Sequence, residues 1–319
     1  MALLSNSKTS FDTTGKTTKE NLGDVISNIS PFETPFMSSI KKVSTSSTKV
    51  EWLKDSLASP VANNAQLEGE VYSATSQSDV TRLNNNTQIS AKSFAVTGTQ
   101  DAVDSAGLAT MSAYLLAKNA KVLKNDIETS IFQNGAKNAG NASTARQSAG
   151  INCWLGTNTS AGTGGADPTA LEGANARTDA SAGNLRALTE TLLKAVSKSV
   201  WDNGGNADTI YVGSANKQVI STSFTGGATK QVQTPDKTIV GAVDVYVGDF
   251  ATYNVVPARH MRARDALVID HSLWEMAELR PYKVEELAKT GDNRQYLLTT
   301  EWSLCAKNEA GNGGIYDLS

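Results

Sequence analysis

Helical periodicity runs unbroken by proline from Asp101 to Asn134. Apolar residues recur at Leu116, Ala120, Leu123, Ile127 and Ile131, with a second stripe at Leu108, Met111, Leu115 and Val122, so two adjoining flanks are apolar. The pattern predicts one long helix packed under a sheet. About 30 residues at ~1.5 Å each would make a rod of roughly 45 Å, against a mean of about three turns. Lys118, Lys121 and Lys124 interrupt the apolar surface and Lys124 stands four residues before Glu128, which predicts a solvated face carrying a weak ion pair.

Before this helix, KVEWLKDSL (49–57) alternates like a strand, with Val50 and Trp52 on one face. A second strand pattern, NTQISAKSFAVTG (86–98), follows a polar stretch, and the simplest geometry joins the two runs as a long hairpin with a wandering tip. Such a hairpin is marginal alone and needs neighbours. Residues 1–48, rich in serine, threonine and lysine, read as an extended arm. Within it ISPFETPFMSSIKK is a hydrophobic knot, where Pro31 and Pro35 favour extended geometry before them and Phe32, Phe36, Met37 and Ile40 supply anchors.

After the helix come nearly fifty residues dominated by Gly, Ala, Ser, Thr and Asn, from Gly135 to Asn184, which read as a flexible connection. A second helix is expected over 184–201 with Asn184 as N-cap and WDNGG as its stop. DTIYVGSANKQVISTSF reads as strand, turn and short helix, and 238–259 as two β-branched strands joined near Gly248 and Asp249 and ended by Pro257. The last strands are expected at Leu267–Ile269, Val284–Leu287 and Tyr296–Cys305, with TGDN (290–293) turning the middle one onto the last, as the sheet over the long helix. The alternation predicts an α+β fold.

Composition narrows the function classes. Apolar residues make up 39% and aromatics 6% of the 319 residues, a thin core for this length, so partners are expected to add stability. A net charge of −3 argues against tight nucleic-acid binding, which needs a basic face. MALLSNSKTS has no secretory pattern and no run of about 18 apolar residues follows, so a soluble, cytoplasmically made chain is expected, without membrane contact. Cys153 and Cys305 have no metal or redox spacing and are expected to be free and buried.

Chemistry-bearing motifs are sparse. No G-x-S-x-G, H-E-x-x-H or G-x-x-x-x-G-K-[ST] occurs, and Gly162–Gly165 lacks the Lys-Ser/Thr of a phosphate loop. Asp270, His271 and Glu275 suggest metal ligands, but the sequence places nothing to complete the set, which favours a solvated turn. Asp202 to Asp208 imitates a calcium loop without its closing glutamate and reads as a helix stop. No enzyme, cofactor or metal site is expected. The densest basic cluster is PARHMRARD: as a strand it would put His260, Arg262 and Arg264 on one side, with Arg259 beside them. It fits either an inter-subunit contact with carboxylates or a solvated edge strand protected by charge.

Arm, hairpin, long helix, small α+β lobe and returning strands, in that order, resemble the major capsid protein of tailed bacteriophages, the Hong Kong 97 fold. The resemblance is carried by Thr34–Ile40 (TPFMSSI), Thr48–Trp52 (TKVEW), Gly98–Val103 (GTQDAV), Lys124–Glu128 (KNDIE), Val245–Phe250 (VYVGDF) and the AKTGD, TEWSL and NEAG segments between Ala288 and Gly311. It implies an N-terminal arm (1–48), an extended β-hairpin loop (49–98), a peripheral domain with the spine helix (99–183 and 257–319) and an axial domain (184–256). It also implies hexamers and pentamers closing an icosahedral head around weakly contacted double-stranded DNA. Assembly would take place in the host bacterial cytoplasm, with a portal and with decoration or cement proteins as further partners. Some relatives carry a fused scaffolding segment; here 48 residues precede the first strand, which implies a separate scaffolding protein or none. The best-known member crosslinks its extended loop through a lysine, and the tip from Gln66 to Val80 has none, so a non-covalent shell is expected. Interface candidates are Phe32, Phe36, Trp52, Arg259, Arg262 and Arg264. The alternative is a tail-tube or other virion structural protein.

Overall fold

A computed structural model describes residues 33–69, 71, 79–103, 110–170, 172–224, 244–289 and 291–319. The knot forms a short helix, α1 (Pro35–Ser39), with proline at its first position, where the fixed φ suits a helix and the missing N–H is not needed. Strand β1 (Lys41–Ser44) follows. The extended loop opens with β2 (Lys49–Lys54), returns through β3 (Thr81–Asn86) and passes into β4 (Gln88–Thr97). The hairpin therefore pairs β2 with β3, Lys49 opposite Asn86, rather than with the 86–98 run. The reason is side-chain chemistry that apolar periodicity does not register. Asn85 is buried and donates to the Leu304 carbonyl (2.7 Å) and Ser148 Oγ (3.0 Å), while Lys137 Nζ donates to the Asn84 carbonyl (2.9 Å).

The long helix is shorter than its periodicity. A five-residue helix, α2 (Gly98–Ala102), ends at an extended Val103, and the spine α3 spans Met111–Phe132. At 22 residues it is about 33 Å long. Two threonines set separate starts: Thr97 accepts from the Gln100 amide and Thr110 from the Ala113 amide. Asp101 also accepts from the Ser112 amide (3.2 Å), a carboxylate at the positive end of α3. Leu123, Ile127, Ile131 and Phe132 are buried, with Leu116 and Ala120 packed partly against them, and this face meets β4 and β11 (Asn293–Ala306, below). Leu108 lies outside the described residues.

The Gly/Ala/Ser/Asn-rich segment is not a loose connection. Ala149, Ile151, Cys153, Trp154 and Leu155 are wholly buried, and β5 (Thr159–Ser160) enters a sheet. Gly150 lets this plug in: a Cβ there would collide with the Gln133 carbonyl at the end of α3. The remaining elements are α4 (Glu190–Asp202), β6 (Thr209–Val212), α5 (Ser214–Ser223), β7 (Val245–Val247), β8 (Thr252–Pro257), β9 (Ala266–Ile269), β10 (Trp274–Leu287), β11 (Asn293–Ala306) and β12 (Gly313–Ile315). Helix α4 starts at Thr189, whose hydroxyl accepts from the Leu192 amide, not at Asn184. Asn203 and Gly204 end it as a helix stop.

Two sheets organise these elements. One is ordered β1-β10-β11-β4, with β1 parallel to the first half of β10 and the rest antiparallel. Pro281 falls where the β10–β11 register shifts, between Arg280 and Lys283, a place that tolerates a missing ladder donor. The other is ordered β5-β12-β9-β6-β8-β7. Its members β9 and β12 come from beyond residue 257, so Leu267–Ile269 does not join the sheet over the spine. Strands β6 and β9 are buried at every residue, as continuous apolar runs require, and α4 packs on β12. Two apolar cores result, one around Phe36, Leu123, Trp154, Trp274 and Trp302, the other around Leu193, Val196, Ile210, Tyr253 and Val268.

Candidate assembly surface

An assembly surface is built from side chains that the subunit does not use for itself. Phe36 is not among them. It is wholly buried, with ring centroids 5.7 Å from Phe132, 5.8 Å from Tyr211 and 6.0 Å from Trp274, so the expected interface anchor is an internal one. Phe32 lies outside the described residues. Trp52 is half-buried: its indole N–H donates to the Ala306 carbonyl (2.8 Å) and its ring lies 5.4 Å from that of Trp154. It fastens the root of the extended loop to β11.

The arginine cluster also turns inward. Residues 258–265 are turns rather than a strand, so His260, Arg262 and Arg264 do not line one side. Arg262 bonds Asp179 and lies 3.5 Å from the buried Asp265, and Arg264 donates to the Ala180 carbonyl (2.7 Å) and Asp317 (3.1 Å). Their carboxylates belong to the same chain, Asp179 among them on the segment expected to be a flexible connection. Burial pushes the Asp265 carboxyl up to about 6, against the pull of Arg262. Arg177 completes the network with its guanidinium 3.4 Å from the Tyr316 ring centroid. Of the three arginines expected at contacts, Arg259 alone faces solvent; it grips Glu33 with two bonds, 3.0 and 3.4 Å.

Large apolar side chains also stand outward, several of them on two stretches of the chain. Leu53, Leu57, Val61, Leu67 and Val71 along the extended loop are all exposed, Leu57 completely. On the second lobe Trp201 and Phe250 lie tilted against each other with ring centroids 5.3 Å apart, both residues exposed, and Val245 and Val247 of edge strand β7 are exposed as well. Val245 and Val247 alternate as a strand should and the loop residues recur every four positions from Leu53 to Val61, so periodicity finds the residues but does not say that they face outward. The available signal is isolated large apolar residues in an otherwise polar setting. Lys118 and Lys121 lie exposed on α3, but Glu128 is buried and is not on the solvated face.

The titratable groups diverge rather than converge. His271 Nε2 meets the Tyr211 hydroxyl at 2.7 Å and burial holds its pKa below the usual histidine value, while Asp270 accepts from Ser272 and Glu275 pairs with Lys307 at 2.6 Å. Among the described residues no three His, Cys, Asp or Glu side chains are grouped to hold a metal, and no helix is long and apolar enough to cross a membrane. Cys153 and Cys305 are free and buried, and burial pushes both thiols up to about 12.

Comparison with known proteins gives these surfaces a context. The major capsid protein of Escherichia phage Phieco32 is 24% identical over 338 residues, covering 96% of each chain. The capsid asymmetric unit of cyanophage A-1(L) has a similar structure, with a TM-score of 0.69 at 12% identity over 97% of this chain and 99% of that one. A chain from Mycobacterium phage Cain follows at 0.61 and 12%, over 97% and 98%. The architecture is an α+β capsid fold of the Hong Kong 97 type. Residues 5–319 match the model of the SU10 major capsid protein family, to which this chain therefore belongs, as the major capsid protein of a tailed phage.

Proposed function

We propose that copies of this chain associate as hexamers and pentamers and close into an icosahedral head around double-stranded DNA. The observation that carries this reading is the extended loop, on which Leu53, Leu57, Val61, Leu67 and Val71 stand exposed to solvent. Each is worth roughly 1.5–3 kcal/mol when buried. Several together can offset the roughly 4–15 kcal/mol that association costs, and repetition over a closed lattice multiplies the gain. The loop lies across a neighbour in this reading. The sheet β1-β10-β11-β4 with α3 forms the peripheral part, and the lobe of α4, α5 and β6–β8, with Trp201 and Phe250, forms the part nearer the capsomer axis. Arg259, the outward member of the arginine cluster, acts at the edge of these contacts, and Trp52 supports them by fastening the root of the loop.

The net charge of −3 suits a wall that contacts its genome weakly. The shell is non-covalent in this reading, since residues 66–80 contain no lysine. Assembly takes place in the host bacterial cytoplasm with a separate scaffolding protein and a portal, and decoration proteins dock on the finished outer surface. The chain acts as a building block and not as an enzyme. Negative-stain microscopy of the expressed chain tests the reading: closed shells or capsomers support it, and tubes or stacked rings would replace it with a tail-tube role.

A further inference from the structure

Glu128 is a wholly buried carboxylate on α3 whose work lies 91 and 92 residues away. Its Oε1 accepts the Phe36 amide and its Oε2 the Met37 amide, both at 2.9 Å, so both oxygens are committed to the knot of the N-terminal arm. The knot itself is anchored by Phe36, Met37 and Ile40 and continues into edge strand β1, which is exposed throughout. Two surface pairs flank it, Glu33 with Arg259 and Lys42 with Glu278 at 2.8 Å. Withdrawal of the segment from Glu33 to Ser44 would keep the β10–β11–β4 ladder intact and would uncover Phe36, Met37 and Ile40.

We propose that this arm segment is a proton-linked clasp, held by Glu128 more firmly in mild acid than above neutrality. A buried carboxylate with no paired cation costs several kcal/mol to keep ionised, and the two amide bonds recover part of that cost. The surrounding described groups do not supply a compensating charge. From β6 comes the Tyr211 phenol, from the turn after β9 the largely neutral His271 with Asp208 behind it at 3.8 Å, and from β10 the Tyr282 phenol against the Met37 sulfur. On α3 itself Lys124 stands one turn back, half-exposed, and Glu33, Arg259, Lys42 and Glu278 are spent in their own pairs. Burial accordingly lifts Glu128 from 4.5 to about 7.

The sign follows from linkage. The docked arm raises the pKa of Glu128, so the docked form binds more protons; docking is strongest below about 4.5 and weakens as pH rises to about 7, above which it is constant. His271 runs the other way, because its lowered pKa makes acid loosen the same packing. A variant at Glu128 separates the two.

Hydrogen exchange of the full chain, corrected for intrinsic rates, reads the opening of residues 33–40 directly. Between pH 5.5 and 8 their protection is expected to fall by about tenfold or more in the wild type, because a carboxyl at about 7 in the docked arm and at the ordinary 4.5 in the free arm loses its extra proton over more than one pH unit of that window, and each unit changes the docking equilibrium about tenfold, while β11 changes little. Glu128→Gln should abolish that fall. A flat wild-type profile, or an equal slope in the variant, would overturn the proposal. Should the variant not fold, carboxyl NMR of the wild type decides: titration of Glu128 above about 6 supports the clasp, and titration near the ordinary 4.5 overturns it.

Discussion

Replacing Glu301 by alanine probes how the extended loop is rooted. Glu301 is 3% exposed on β11, and its Oε1 accepts from the Thr87 hydroxyl (2.7 Å) and Arg146 (2.7 Å) while Oε2 accepts from Arg280 (2.8 Å). It thus ties the β3–β4 junction, the segment after α3 and the irregular part of β10 to one carboxylate. Arg280, with its side chain 55% exposed, regains water when the carboxylate goes and loses at most about 1 kcal/mol. Arg146, 31% exposed, loses about 1 kcal/mol, and the wholly buried Thr87 hydroxyl is orphaned at about 1–3 kcal/mol. The sum is about 2–5 kcal/mol, which at roughly 2 °C per kcal/mol for a chain of this size lowers Tm by about 4–10 °C. Glu301→Gln keeps an oxygen for Thr87 and should cost about half as much. Thermal unfolding by circular dichroism measures both. An alanine variant within about 2 °C of the wild type, or a glutamine variant as damaged as alanine, would refute the reasoning.

Three other outcomes follow from the same structure. Leu123→Asp puts a charge at a site 1% exposed between α3 and the sheet, and should yield insoluble or unassembled protein in pelleting assays; normal shells would contradict the packing described. Leu57→Ser with Val61→Ser, on exposed loop positions, should change subunit stability by no more than about 0.5 kcal/mol yet sharply reduce shell yield, and undiminished yield would remove the loop from the interface. Boiling assembled particles in detergent should release single-chain bands on a gel, whereas a persistent ladder would reveal covalent links.

Elements whose apolar residues face one way are legible from the amino-acid sequence alone. The Leu116–Ile131 stripe, strand β11 with the turn at Gly291 and Asp292, the β6–α5 unit and the β7–β8 pair all fall in that class, whereas β10 begins at Trp274, well before the expected Val284. Elements stabilised by polar side chains are not. Strand β3 is TRLNNN, and its Asn85 is buried because it bonds backbone far away in sequence. The segment around Trp154 is likewise held by Asn134, Asn152 and Arg177, which show no period. The break before α3 is signalled only by Thr110, a cap inside an otherwise continuous apolar pattern. For the candidate surface, residue type misleads in both directions: Phe36 and two of three arginines are internal, whereas Trp201 and Phe250 are external. Which side of a subunit an arginine or aromatic faces depends on contacts such as Arg264 with Asp317, 53 residues apart, that no local pattern encodes.

That this subunit builds a closed shell through its extended loop is tested most directly by a cryo-electron microscopy reconstruction of the assembled particle. The expected result is five- and six-fold capsomers on an icosahedral lattice, with Leu53, Leu57 and Val61 buried against a neighbouring subunit. Helical symmetry, or a shell in which those residues remain in solvent, would contradict it.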